Sequence, residues 1–267
     1  MVGHSEYDFG GESTIVTGST SGIGRGIAQV LAAADANVVV NSRTEADVRE
    51  TASHLDNLGT GEIVGVPADL SDASAIDDLV ESAIASFDEI DLLVNNAAVW
   101  PMETEMIAAD LEDWDYTMNA NVRAQFYASK LVANHMIDED IEGCLINVTS
   151  QTGDRRTGNR GIYGVSNSSV NGLTWRMAGE LAEHGIRMNA VSTDLTDTRQ
   201  VRLEARQEAK TTDTTESDVV DEWASELPLG RMGHPSDLAD AVLFLASDRA
   251  EYVVGTILRV AGGGNLK

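Results

Sequence analysis

Residues 17–24 read Thr-Gly-Ser-Thr-Ser-Gly-Ile-Gly. Glycines at 18, 22 and 24 allow a tight turn and let the backbone approach a large anion closely. A short apolar run precedes this stretch at 14–17, and a helical pattern follows at 22–34. A helix start presents unpaired N–H groups and the positive end of its dipole, so a pyrophosphate can be held there without a charged side chain. A glycine pattern alone is a weak signal; between a strand and a helix it marks a dinucleotide site. Gly18, Ser19, Ser21, Gly22, Ile23 and Gly24 are therefore candidate cofactor contacts. After the next strand pattern comes Asn41-Ser42-Arg43, with no carboxylate before Glu45. An acidic residue there would hold a ribose 2′-hydroxyl, whereas an arginine accommodates a 2′-phosphate. Ser42 and Arg43 thus predict NADP as the preferred cofactor, with NAD as the second option.

Other chemistries find little support. The five histidines, at 4, 54, 135, 184 and 234, are scattered without metal-ligand spacing, which predicts no metal site. Ser150 lacks a Gly-x-Ser-x-Gly elbow, so a hydrolase nucleophile is not expected. Cys144 is the one cysteine and sits in the apolar run Cys-Leu-Ile-Asn-Val; it reads as a buried strand residue.

The elements that must position the glycine turn follow from the hydrophobic pattern. Strand patterns fall at 14–17, 37–41, 62–67, 91–95, 144–149, 187–191 and 256–260, and helical patterns at 22–34, 45–58, 73–87, 111–137, 163–184 and 236–246. This alternation implies right-handed βαβ crossovers. The expected fold is α/β: a Rossmann-type, doubly wound, seven-stranded parallel sheet with helices on both faces. All 267 residues read as one domain. The least regular stretch, 193–228, follows the sixth strand, on the side of an open sheet where ligands bind. It reads as a substrate lid, with a solvated helical excursion as the alternative.

Charge narrows the partners. The formal net charge is −26, with three lysines against fifteen arginines. Such a surface repels phosphate backbones and anionic lipid, so neither nucleic acid nor membrane is an expected partner. No apolar run reaches the roughly 20 residues of a membrane helix, and the acidic first twelve residues do not resemble a secretory signal. The expectation is a cytoplasmic protein. Its acidity suits a salty, halophilic interior, where screening shortens the Debye length to about 3 Å at molar salt.

The glycine turn, Asn95-Asn96-Ala97 and Tyr163 at a helix start together resemble the short-chain dehydrogenase/reductase family. The resemblance spans 9–265 and includes Pro228-Leu229-Gly230-Arg231-Met232-Gly233-His234-Pro235 and Phe244-Leu245-Ala246-Ser247-Asp248. It points to the branch containing 3-oxoacyl-[acyl-carrier-protein] reductases and many sugar, steroid and secondary-alcohol dehydrogenases. Thr17, Gly18, Gly22, Ile23 and Gly24 match that family's cofactor turn. The resemblance places Asp69 at the adenine end, gives Asn95 a sheet-stabilising place by the adenosine ribose, puts Thr198 at the nicotinamide carboxamide, and adds Leu70 and Ala97 to the cofactor-binding set. It makes Tyr163 the proton donor, Ser150 the residue that orients the carbonyl, and Asn121 a further member of the catalytic set. It also implies a homodimer or homotetramer built through the helices at 111–137 and 163–184.

Three departures stand out. The family's Tyr-x-x-x-Lys reads Tyr163-Gly164-Val165-Ser166-Asn167; Pro-Gly after the sixth strand reads Thr193-Asp194; and Ala98 replaces a glycine. The lysine normally lowers the tyrosine pKa through its charge. Asn167 takes its place among the catalytic candidates, able to hydrogen-bond a ribose but carrying no charge. Arg155, Arg156 and Arg160 lie between Ser150 and Tyr163; solvation or salt-bridging is expected of each, with a cation at the site as the alternative. Trp100 and Pro101 are pocket or packing residues, and Gln151 is a further substrate-contact candidate. Two functions follow. One is an NAD(P)-dependent oxidoreductase for a small carbonyl or secondary alcohol (a ketone, a 3-oxoacyl or a sugar-like compound), slowed by the missing lysine. The other is a dinucleotide-binding sensor or assembly protein that has lost catalysis.

Overall fold

A computed structural model describes residues 7–100, 105–154, 160–264 and 266. Seven strands form one parallel sheet: β1 Ser13–Val16, β2 Asn37–Ser42, β3 Ile63–Pro67, β4 Leu92–Asn95, β5 Cys144–Ser150, β6 Arg187–Thr193 and β7 Ile257–Val260, in the order β3-β2-β1-β4-β5-β6-β7. The doubly wound fold read from the sequence is the one observed. Val16 sits in register with Val40 on one side and Val94 on the other. The chain winds away from β1 in both directions, which opens a crevice beyond the carboxyl ends of β1 and β4.

Both faces of the sheet are covered, which is why the strands read as nearly continuous apolar runs. Successive side chains point to opposite faces. Val16, Val38, Val40, Val94 and Ile146 pack with Ile27 and Leu31 of α1 (Gly22–Ala33) and Leu238 and Val242 of α9 (Pro235–Ala246). Ile15, Val39, Leu93 and Leu145 pack on the other face with Leu79 of α3 (Ala73–Phe87), Val132 and Met136 of α5 (Ala124–Asp138) and Leu181 of α6 (Gly161–Leu181). Cys144 is buried, and loss of solvation pushes its thiol up to about 11, so it packs as a small hydrophobe. The remaining crossover is α2 Glu45–Leu55.

One segment differs from the sequence expectation, and a second is helical where the sequence left a lid or a helical excursion open. The helical pattern at 111–137 is three pieces: α4 Leu111–Met118, a π-helical turn Asn119–Arg123, and α5. Such a turn inserts one residue into the helical repeat, too small a change for hydrophobic periodicity to register. The stretch at 193–228 is largely helical, with α7 Arg199–Thr212 and α8 Glu216–Glu226. Thr198 caps α7 by accepting from the Val201 N–H, and a Thr215/Asp218 capping box starts α8. These helices share a small separate cluster of Ala205, Ala209 and Val219. Arg202–Asp197 (2.6 Å) and Arg206–Glu216 (2.5 Å) ion pairs brace them. The polar outer faces of both helices masked their periodicity in the sequence.

Candidate active site

The crevice contains a cavity of about 640 Å³, within the usual range for small-molecule and cofactor sites. Ser21, Gly22 and Ile23 line it where β1 turns into α1. Gly18 and Gly22 hold φ of 64° and 56°, a left-handed conformation that side chains disfavour. The Ser21 hydroxyl does not cap α1, which leaves first-turn N–H groups for an anion.

The turn is tied to its neighbours. Thr17 Oγ1 accepts from the backbone N–H groups of Asn96 (2.9 Å) and Ala97 (3.0 Å). Asn96 Nδ2 donates to the carbonyls of Thr17 (2.9 Å) and Gly18 (3.2 Å). Asn41 Oδ1 accepts from the Gly18 N–H at 3.4 Å, and Asn41 Nδ2 donates to the Val66 carbonyl at 3.1 Å. The sequence motifs contain Asn41 and Asn96 but give neither a role. The available signal was an amide side chain at the carboxyl end of each strand flanking β1.

Ser42, Arg43, Asp69, Leu70 and Ala97 line the cavity beyond the turn, as their candidate roles require. Hydrogen bonds from the Ser71 backbone and hydroxyl, helped by the Arg43 charge, hold the Asp69 carboxyl below its usual range. Gln125 also lines the cavity, and its buried Oε1 has no partner among the described residues. The uncapped helix start, the exposed Arg43 and this orphaned acceptor fit a polyanionic, hydroxyl-rich cofactor of dinucleotide size.

Three candidate cofactor contacts, and the catalytic candidate Ser150, are not among the residues that line the cavity. Ser19 is fully buried, and its Oγ accepts from the Asn41 N–H at 2.9 Å, so it fastens the turn to β2. At Gly24, an added Cβ would lie 2.3 Å from Asn96 Nδ2 and 2.5 Å from the Gly18 carbonyl; its glycine is needed for packing. Asn95 donates to Ser129 Oγ (2.8 Å) and Asn147 Oδ1 (3.0 Å), cross-linking the sheet to α5, and it does not line the cavity.

Asn121, Tyr163 and Asn167 line the cavity away from the turn, whereas Thr198 lines it beside the turn, its Cγ2 3.4 Å from where a Cβ on Gly22 would lie. Asn121, in the π-helical turn, accepts from the Val99 N–H (2.7 Å) and donates to the Val99 carbonyl (2.9 Å) and Ser166 Oγ (3.2 Å). Ser166 Oγ in turn donates to the Tyr163 carbonyl at 2.9 Å, as does Asn167 Nδ2. Asn121 and Asn167 thus both steady the first turn of α6. Ser150, at the end of β5, is buried and accepts from the Thr152 N–H at 3.2 Å.

Burial pushes the Tyr163 phenol above its ordinary value. Hydrogen bonding by Asn167, the Arg160 charge and hydrogen bonding by Ser150 pull it back, while Glu204 works against them. The Tyr163 ring stacks on Trp100 with centroids 4.9 Å apart and planes 17° from parallel. The Arg160 guanidinium lies over Trp100, 3.8 Å from the ring centroid. Of the three loop arginines, Arg155 and Arg156 fall outside the described residues, as does Pro101. Gln151 is buried, with Nε2 3.3 Å from Ser192 Oγ, which favours packing over substrate contact. Among the described residues no cluster of side chains could hold a metal ion, and no helix is long and apolar enough to cross a membrane.

A profile of the family described as Enoyl-(Acyl carrier protein) reductase matches residues 18–265. The chain is 33% identical to 2-dehydro-3-deoxy-D-gluconate 5-dehydrogenase of Escherichia coli (strain K12), over 97% of both chains. It is 34% identical to L-xylulose reductase of Mesocricetus auratus, over 95% of this chain and 96% of that one. Among solved structures, L-sorbose reductase from Gluconobacter frateurii, complexed with NADPH and L-sorbose, superposes with a TM-score of 0.92 at 27% identity, covering 97% of this chain and 98% of that one. Fold, cavity and relatives agree: the chain belongs to the short-chain dehydrogenase/reductase family and is an NAD(P)-dependent enzyme of that family.

Proposed function

We propose that the protein transfers a hydride between NADP and a small sugar-like ketone or secondary alcohol, with Tyr163 as the proton donor. The observation that carries this is one continuous cavity lined by the glycine turn and Arg43 at one end and by Tyr163 and Asn167 at the other. Arg43 would meet the 2′-phosphate, and Ser21, Gly22 and Ile23 the pyrophosphate. Asp69, Leu70 and Ala97 would border the adenosine, and Thr198 the carboxamide. The NADPH in the sorbose reductase and the sugar names of several relatives support both halves of this reading.

When bound, the reduced nicotinamide supplies the hydride that adds to the carbonyl carbon. The Tyr163 hydroxyl gives its proton to the carbonyl oxygen, and Ser150 orients that oxygen. Asn121 and Asn167 keep the first turn of α6 in place. The missing lysine leaves the phenol hard to ionise, so alcohol oxidation, which needs the phenolate, should be slow and peak at alkaline pH. Thr198, Arg199, Gln200 and Val201 line the cavity, consistent with α7 and α8 covering the substrate side within a single domain of 267 residues. Phe126 of α5 and Trp175 of α6 are exposed, in keeping with pairing of these helices in a homodimer or homotetramer. The charge of −26 is in keeping with a salty cytoplasm.

The raised Tyr163 phenol and the lost lysine favour one alternative, a cofactor-binding protein without turnover. NADPH consumption against a panel of keto-sugars, run beside an NADPH binding titration, tests the proposal. Turnover on at least one member is expected; tight binding without turnover on any would establish the alternative.

A further inference from the structure

The loop before α6 returns a cation to the neighbourhood of Tyr163. Arg160 occupies the N-cap position of α6, three residues ahead of Tyr163. Its guanidinium lies 3.8 Å from the centre of the Trp100 ring, which is itself stacked on the Tyr163 ring. Arg160 Nη2 is 3.4 Å from Glu204 Oε2 of α7, and Gln200 Nε2 donates to the other Glu204 oxygen at 3.2 Å. The Arg160 and Glu204 side chains are only 27% and 22% exposed, so solvent screens them less than surface charges. A guanidinium keeps its charge at every accessible pH and packs favourably on an aromatic face.

We propose that Arg160, held between Trp100 and Glu204, is the positioning residue that supplies Tyr163 with the positive charge the chain lacks at Asn167. The proposal rests on the reading of Tyr163 as proton donor. Among the described residues, the charges that act on Tyr163 are Arg160 at the start of its own helix and Glu204 of α7; Arg199 of α7, Asp194 after β6 and Tyr116 of α4 line the same cavity. Asn167, Ser166 and Ser150 contribute dipoles only. Arg160 is the cation that stacks with Trp100, and its charge favours the phenolate against burial and Glu204. Glu204 also joins the α7 segment to the site, so seating that segment fixes where the cation lies.

The test follows tyrosinate ultraviolet absorbance as a function of pH with NADP bound. Tyr163→Phe identifies the Tyr163 step by removing it. Arg160→Met should move that step up by about one pH unit, a tenfold change in ionisation, and Arg160→Lys should return most of the displacement. The alkaline limb of the pH–rate profile should move with it, and Asn167→Lys should raise the rate more in the Arg160→Met background than in the unaltered chain. A Tyr163 step and rate limb unmoved by Arg160→Met would overturn the proposal. If Arg160→Met does not fold, Arg160→Gln, which keeps a donor toward Glu204, gives the same reading. If Tyr163→Phe keeps full turnover while the titration still responds to Arg160, the proton-donor reading fails and the charge inference survives.

Discussion

At the phosphate end of the cavity, the Thr17–Gly24 turn is shaped by its own backbone and bolted to β2 and β4 by the amides of Asn41 and Asn96. At the catalytic end, Tyr163 is set by side chains from separated parts of the chain: Ser150 at the end of β5, Asn121 in the π-helical turn, Trp100 after β4 and Glu204 on α7. At the first end, the glycine turn matches its family's residues at Thr17, Gly18, Gly22, Ile23 and Gly24. The second has lost a charge and gained a stacked arginine. An anion site made of backbone N–H groups depends on a few glycines and tolerates little change. A proton-transfer site depends on the local potential, and a cation can reach it from more than one position.

The largest effect should come from breaking the catalytic end alone. Tyr163→Phe is expected to lower kcat/KM by roughly 10²–10⁴-fold while NADPH affinity stays within about twofold, because the Tyr163 hydroxyl plays no part in holding the glycine turn. A comparable loss of NADPH binding would show that the two ends are not separable. Breaking the phosphate end should affect binding and stability together. Gly24→Ala puts a methyl 2.5 Å from the Gly18 carbonyl, so the turn must shift. Overpacking of this kind typically costs about 1–3 kcal/mol, readable as a lower Tm and about 10–100-fold weaker NADPH binding. Arg43→Leu sharpens the comparison with a smaller effect: NADPH should weaken about tenfold, on the scale of one charge-assisted hydrogen bond, while NADH is unchanged. Equal weakening of both would mean Arg43 acts on the shared adenosine.

How much of this was legible in the sequence tracks the same division. The seven strands showed because both sheet faces are buried and their apolar runs are nearly unbroken. The glycine turn and Arg43 showed because short-range spacing defines them. A motif gives positions without directions, so it offers Ser19 and Gly24 as ligand contacts; the structure turns Ser19 toward Asn41 and packs Gly24 against Asn96. Asn95 cross-links the sheet and, like them, lies off the cavity. The π-helical turn was hidden because it disturbs periodicity by one residue, and α7 and α8 because their outward faces are polar. The Arg160–Glu204 pair joins residues 44 apart in sequence, and no local pattern could separate Arg160 from Arg155 and Arg156.

Calorimetric titration of the folded protein with NADPH and with NADH, at low and at multimolar KCl, tests the central claim most directly. One NADPH per chain, bound at least about tenfold more tightly than NADH where the protein is folded, is the result this account predicts. Absence of binding by either nucleotide at every salt concentration would contradict the assignment of the cavity, and tighter NADH binding would contradict the role given to Arg43.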